Sequence, residues 1–77
     1  MPTALRIKGY AFFFRAGDCP ERPHAHVRGI GGTAKVWLEP MNLAYSTYNA
    51  ARTAEVLAIA DRHQSLLLGR WVLFCGS

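Results

Sequence analysis

The stretch Pro23-His24-Ala25-His26-Val27-Arg28-Gly29-Ile30-Gly31-Gly32-Thr33-Ala34-Lys35-Val36-Trp37-Leu38 decides how this chain folds. Two segments rich in strand-forming residues flank a glycine pair, and both glycines can take positive φ at little steric cost. A hairpin turning on Gly31-Gly32 sets Ile30 opposite Thr33. That register faces Arg28 with Lys35, Val27 with Val36, His26 with Trp37, Ala25 with Leu38 and His24 with Glu39. Side chains alternate between the faces of a strand. One face is then apolar (Ala25, Val27, Val36, Leu38). The other carries His24, His26, Arg28, Lys35, Trp37 and Glu39.

Upstream, Leu5-Arg6-Ile7-Lys8 alternates apolar and basic residues, and Gly9 leads into Tyr10-Ala11-Phe12-Phe13-Phe14-Arg15. A turn at Lys8-Gly9 pairs Ile7 with Tyr10 and Leu5 with Phe12. It gathers Leu5, Ile7, Tyr10, Phe12 and Phe14 on a core face, with Arg6, Lys8 and Phe13 on the other. Ala16 to Pro23 reads as a loop braced by two prolines, which hold Cys19 and Arg22 extended. Downstream, Glu39-Pro40 ends the second strand because proline cannot donate to the ladder. Met41 to Tyr48 fits either a short strand or a helical turn. Asn49 is an N-cap, and Val56, Ala60, His63, Leu67, Trp71 and Phe74 form a helical stripe. The stripe belongs to one helix or to two joined near His63-Gln64-Ser65. The run Trp71 to Cys75 is apolar on all sides and needs cover from the sheet or from another chain.

The 77 residues make a single domain, 1–77, in which 51% of residues are hydrophobic and 18% charged. That composition supports a core and argues against disorder. No stretch reaches the roughly 20 apolar residues of a spanning helix, so no membrane partner is expected. The N-terminus lacks the apolar core of a signal peptide. Cys19 and Cys75 stand apart, outside any C-x-x-C spacing, and are expected as reduced thiols in a cytoplasmic protein. Nine Lys and Arg against five Asp and Glu give a net charge of +4, which directs attention to acidic partners.

His24 and His26 are the candidate reactive pair. A histidine can take the 2′-hydroxyl proton of RNA or protonate the leaving oxygen, with Glu39 orienting His24. Arg28 and Lys35, set opposite one another, repel unless an anion sits between them. Together with Arg22 they are the phosphate-binding candidates, and Trp37 offers a surface for base stacking. No cofactor is expected, and the sequence alone requires no metal. If one bound, His24, His26 and Glu21 would be its ligands, although H-x-H by itself is a weak metal signal. His63 reads as an ordinary helix residue.

The N-terminal MPTALRIKGYAFFF, then Glu21-x-Pro23-His24-x-His26-Val27, then Ala34-Lys35-Val36-Trp37-Leu38-Glu39-Pro40 resemble a small bacterial domain-of-unknown-function family. Residues 1 to 40 carry the resemblance closely and the helical remainder in outline. Members are often encoded beside a second small protein, an arrangement similar to toxin–antitoxin pairs. The resemblance therefore implies a toxin-like role and a cognate partner encoded nearby. Arg22, where the pattern usually has proline or another loop residue, and the uncharged tail depart from it.

The fold expected is α+β. About four mostly antiparallel strands in two hairpins pack on a C-terminal helical segment. The function expected is that of a toxin-like component acting on or binding nucleic acid, RNA preferred. Its rivals are a non-catalytic module for an acidic protein or nucleic acid, and a His-x-His metal-binding protein. Self-association would use the apolar tail.

Overall fold

A computed structural model describes residues 3–76; Met1 and Pro2 of the N-terminal pattern, and Ser77 of the tail, lie outside them. Five strands follow one another in a meander: β1 (Thr3–Ile7), β2 (Tyr10–Phe13), β3 (His24–Gly29), β4 (Gly32–Leu38) and β5 (Met41–Ser46). Each pairs antiparallel with the next, giving the order β1-β2-β3-β4-β5. Two helices, α1 (Ala50–Arg62) and α2 (Gln64–Cys75), complete an α+β fold.

Met41 to Tyr48, which by pattern fits either a short strand or a helical turn, holds the fifth strand. Met41 and Leu43 half-bury against the core while Asn42 and Ala44 stay exposed. Glu39-Pro40 is the turn that pairs Met41 with Leu38. The apolar side of this strand is only two residues long, too weak a period to separate strand from helix by pattern alone.

The first hairpin has the expected register, Leu5 with Phe12 and Ile7 with Tyr10, around Lys8-Gly9. The second does not. Gly29 pairs with Gly32, and the turn residues are Ile30 and Gly31, both at positive φ (50° and 72°). Arg28 therefore faces Thr33, His26 faces Lys35, Ala25 faces Val36 and His24 faces Trp37. The shift is two residues, so every side chain keeps its face while every partner changes.

Packing around the turn explains the choice. Gly29 has φ 128°, and a Cβ there would lie 2.1 Å from the Gly9 carbonyl oxygen. The two hairpin turns abut, and only glycine fits between them. A Cβ on Gly32 would lie 2.5 Å from the Tyr48 ring. The Tyr48 hydroxyl sits 2.7 Å from the Gly29 carbonyl oxygen and 2.9 Å from that of Gly32, sharing its proton across the end of the hairpin.

The apolar face of the sheet receives both helices. Phe12, Val36, Leu38, Val56 and Leu67 are fully buried, and Trp71 nearly so. Asn49 caps α1, its side chain accepting from the Arg52 amide at 2.8 Å. The helical segment breaks at His63, where the Gln64 side chain donates to the Leu38 carbonyl at 2.6 Å. Arg70 donates to the Ala4 carbonyl, tying α2 to β1. The tail is covered on one side only: Leu73 is 81% exposed.

Cys19 and Cys75 are not free thiols. They form a disulfide with a Cα–Cα distance of 5.6 Å across a separation of 56 residues. The sequence reading missed it because nothing local shows that the end of α2 returns to the loop before β3. Closing so long a loop is worth about 4 kcal/mol on the chain-entropy account.

Two stability measurements follow. Gly29→Ala should lose more than about 3 kcal/mol in denaturant melts, by overpacking added to backbone strain. Gly31→Ala, with open space around it, should lose only about 1 kcal/mol. Similar small losses at both positions would restore the Gly31-Gly32 turn. Cys75→Ser should lower Tm by on the order of 10 °C or more, and alkylation of the unreduced protein should label no cysteine.

Candidate functional site

The open face of the sheet is organised by an aromatic row crossing β2, β3 and β4. Phe13 stacks on His26 with ring centres 5.5 Å apart, His26 meets His24 edge-on at 5.2 Å, and His24 meets Trp37 at 5.3 Å. The row follows from the register, which places Phe13, His26 and Lys35 side by side and His24 against Trp37. Trp71 closes in on His24 at 5.2 Å.

The loop between β2 and β3 folds over this row. Ala16–Asp18 forms one 3-10 turn, and the Cys19–Cys75 bond ties its end to α2. Asp18 is thereby delivered onto the histidines. Its Oδ2 lies 2.5 Å from His26 Nε2 and 3.0 Å from His24 Nε2. One ligand atom from each of Asp18, His24 and His26 falls within 4.8 Å of the others. Burial pushes the Asp18 carboxyl up, but the hydrogen bond from His26 and the nearness of both imidazoles bring it below its ordinary value.

His24 is fully buried, and its Nδ1 lies 2.9 Å from the Arg22 carbonyl oxygen. A carbonyl can only accept, so Nδ1 carries the proton of that bond. Nε2 is left without a hydrogen-bond partner of acceptable geometry despite its nearness to Asp18. The contact has the separation of a hydrogen bond but not its direction.

Four cations frame the row. Arg28 and Arg15 stand over Phe13 at 5.0 and 5.6 Å from the ring centre. Arg22 and Lys35 each lie 4.4 Å from the centre of the Trp37 ring. Lys35 also reaches Glu21 Oε1 at 3.2 Å.

Of the residues expected from the sequence, His24, His26, Arg22, Lys35 and Trp37 come together. Arg28 joins at the Phe13 end and faces Thr33, so it does not form the expected repelling pair with Lys35. Glu39 lies exposed in the β4–β5 turn, and the place assigned to it beside His24 is taken by Trp37 across the strands and by Asp18 above them. Glu21 engages Lys35 and is not in the histidine cluster. Asp18 was missed. Its only local signal is an acid in a proline-braced loop before H-x-H, and that signal says nothing about where the loop lands.

His63, expected as an ordinary helix residue, is instead the break between α1 and α2, its Nδ1 2.9 Å from the Ile59 carbonyl. A surface depression between the first hairpin and α1, lined by Lys8, Glu55, Arg62 and His63 among others, shares no residue with the Asp18 cluster. Among the described residues, no helix is long and apolar enough to cross a membrane.

No curated protein and no solved structure matches the sequence. A family model described as a domain of unknown function (DUF4160) matches residues 9–72, starting at Gly9 within the GYAFFF motif and running into α2. The match spans most of the chain, which belongs to the DUF4160 domain-of-unknown-function family.

Proposed function

We propose that this chain is the nucleic-acid-directed, toxin-like member of a two-component bacterial pair, and that it binds RNA through the open face of its sheet. The observation that carries the reading is the frame of Arg15, Arg22, Arg28 and Lys35 held over Phe13 and Trp37 in a protein of net charge +4. Cations fixed on aromatic rings lose little freedom on meeting a phosphate chain, and guanidinium groups suit its oxygens bidentately. Bases could stack on Trp37 as Arg22 or Lys35 turns outward to a phosphate.

Burial favours binding over cleavage. His24 has no exposed surface and His26 only 7%, with Asp18 laid over both. General acid–base work needs a ring that reaches the substrate oxygen. The face therefore supports binding better than strand scission. An acidic partner protein would use the same cations, and the product of a neighbouring gene is the natural choice for it. The cytoplasmic location belongs to the proposal too, and the Cys19–Cys75 bond weighs against it, since reducing compartments disfavour disulfides.

Fluorescence anisotropy with a labelled single-stranded RNA tests the reading. Affinity should fall with salt at a log–log slope of about −2 to −3 for three to four phosphate contacts. Arg22→Ala with Arg28→Ala should weaken binding by about tenfold or more and shallow the slope by roughly one to two. Absent binding at low salt, or an unchanged slope in the double variant, would leave the acidic partner protein as the ligand. Total RNA incubated with the protein should stay intact. Induced expression of the chain alone should slow growth, and normal growth would remove the toxin-like part.

A further inference from the structure

We infer that Asp18, His24 and His26 form a binding site for one divalent transition-metal ion of the zinc type. The inference stands apart from the reading of the basic frame and needs none of its cations.

Three features converge. First, the donor set is two imidazoles and a carboxylate, from residues that chain topology brings together: His24 and His26 on one face of β3, and Asp18 from the loop above. Imidazole donors select zinc and its neighbours over magnesium and calcium, which prefer oxygen. Second, His24 has the tautomer a ligand requires. Its Nδ1–H is committed to the Arg22 carbonyl, and a backbone carbonyl on the far ring nitrogen is the usual support of a metal-bound histidine. Third, the Nε2 so freed is fully buried, has no hydrogen-bond partner and faces the Asp18 carboxylate at 3.0 Å. A buried ring nitrogen without a hydrogen bond is a costly arrangement in a dry site.

A cation resolves that contact. Zinc sits about 2.0–2.2 Å from nitrogen and oxygen ligands, which puts tetrahedral neighbours about 3.4 Å apart. The present Asp18 contacts, 2.5 and 3.0 Å, need open only slightly to reach that spacing. Phe13, Trp37 and Trp71 wall the cluster. Asp18, whose side chain is 19% exposed, marks the way in. Three protein ligands leave a fourth position for water or for a ligand. Glu21, the acid expected here from the sequence, is held by Lys35 instead.

The test uses the full chain with its disulfide intact, stripped with chelator and titrated with Zn²⁺ by calorimetry. One ion per chain should bind. At 100-fold excess over Kd, Tm should rise by about 10 °C or more, and Mg²⁺ should leave it unchanged. Co²⁺ should give the visible absorption of a four-coordinate N/O site. His26→Gln and Asp18→Asn should each weaken Zn²⁺ binding more than tenfold with an unchanged far-ultraviolet circular dichroism spectrum. His24→Ala opens a cavity beside Trp71 and can fail to fold, so the two former variants carry the decision. Substoichiometric Zn²⁺ binding by the wild-type chain would overturn the inference. So would wild-type affinity in either His26→Gln or Asp18→Asn, which would place the ion elsewhere.

Discussion

The Gly9 carbonyl oxygen occupies the space where any side chain on Gly29 would have to stand. This one steric constraint locks the two hairpin turns together and fixes the register of β3 against β4. Everything on the open face descends from it. With Gly29 opposite Gly32, His24 falls beside Trp37 and His26 beside Lys35. Moved by two residues, His24 would meet Glu39 and the aromatic row would be broken. Tyr48 secures the same point from the other side, its hydroxyl bridging the carbonyls of Gly29 and Gly32. Burial raises the energy of its phenolate, the form that could not donate that bond.

The second organising element is the loop from Ala16 to Pro23. It has little packing of its own, and a loop of that length on a small domain would ordinarily be mobile. Here it is held at Cys19 by the disulfide, at Asp18 by two imidazoles, at Arg22 by Trp37 and at Glu21 by Lys35. The loop turns what would be an open polar sheet face into a covered one. That is why His24, a polar residue on the non-core side, is as buried as Val36.

Much of this was legible in the residues. Alternation assigned the faces of all four predicted strands, and because side-chain direction has a period of two, an error of two in register left those faces intact. The stripe from Val56 to Trp71 gave the helices, and Asn49 gave their start. The exact turn was hidden because Gly-Gly fits a hairpin so well locally, whereas the reason to use Ile30-Gly31 lies at Gly9 and Tyr48, distant in sequence. Asp18 and the cysteine pair were hidden for the same reason. Each depends on where a loop or a terminus lands, which periodicity does not encode. His24 and His26 were visible as H-x-H, but their third companion was sought at Glu39 in the hairpin and at Glu21 in the loop. The loop supplies it, three residues earlier, at Asp18.

Charge links the two halves of the open face. The Asp18 carboxylate places a negative charge at the centre of four cations, and it partly offsets the attraction that frame would exert on a polyanion. A divalent ion on those three ligands would turn the centre to about +1. The cluster would then add to the field of Arg15, Arg22, Arg28 and Lys35 instead of opposing it. Metal and polyanion would each favour the other's binding, and by linkage the coupling would be equal in both directions. A protein with two such dependences on one face would respond to the supply of metal as well as to the presence of its anionic ligand. On the same arithmetic, a bound ion would give a basic protein a reason to keep an acid in the middle of its most basic surface. Without an ion to hold, Asp18 weakens the surface around it. With one, it is the residue that brings further positive charge there.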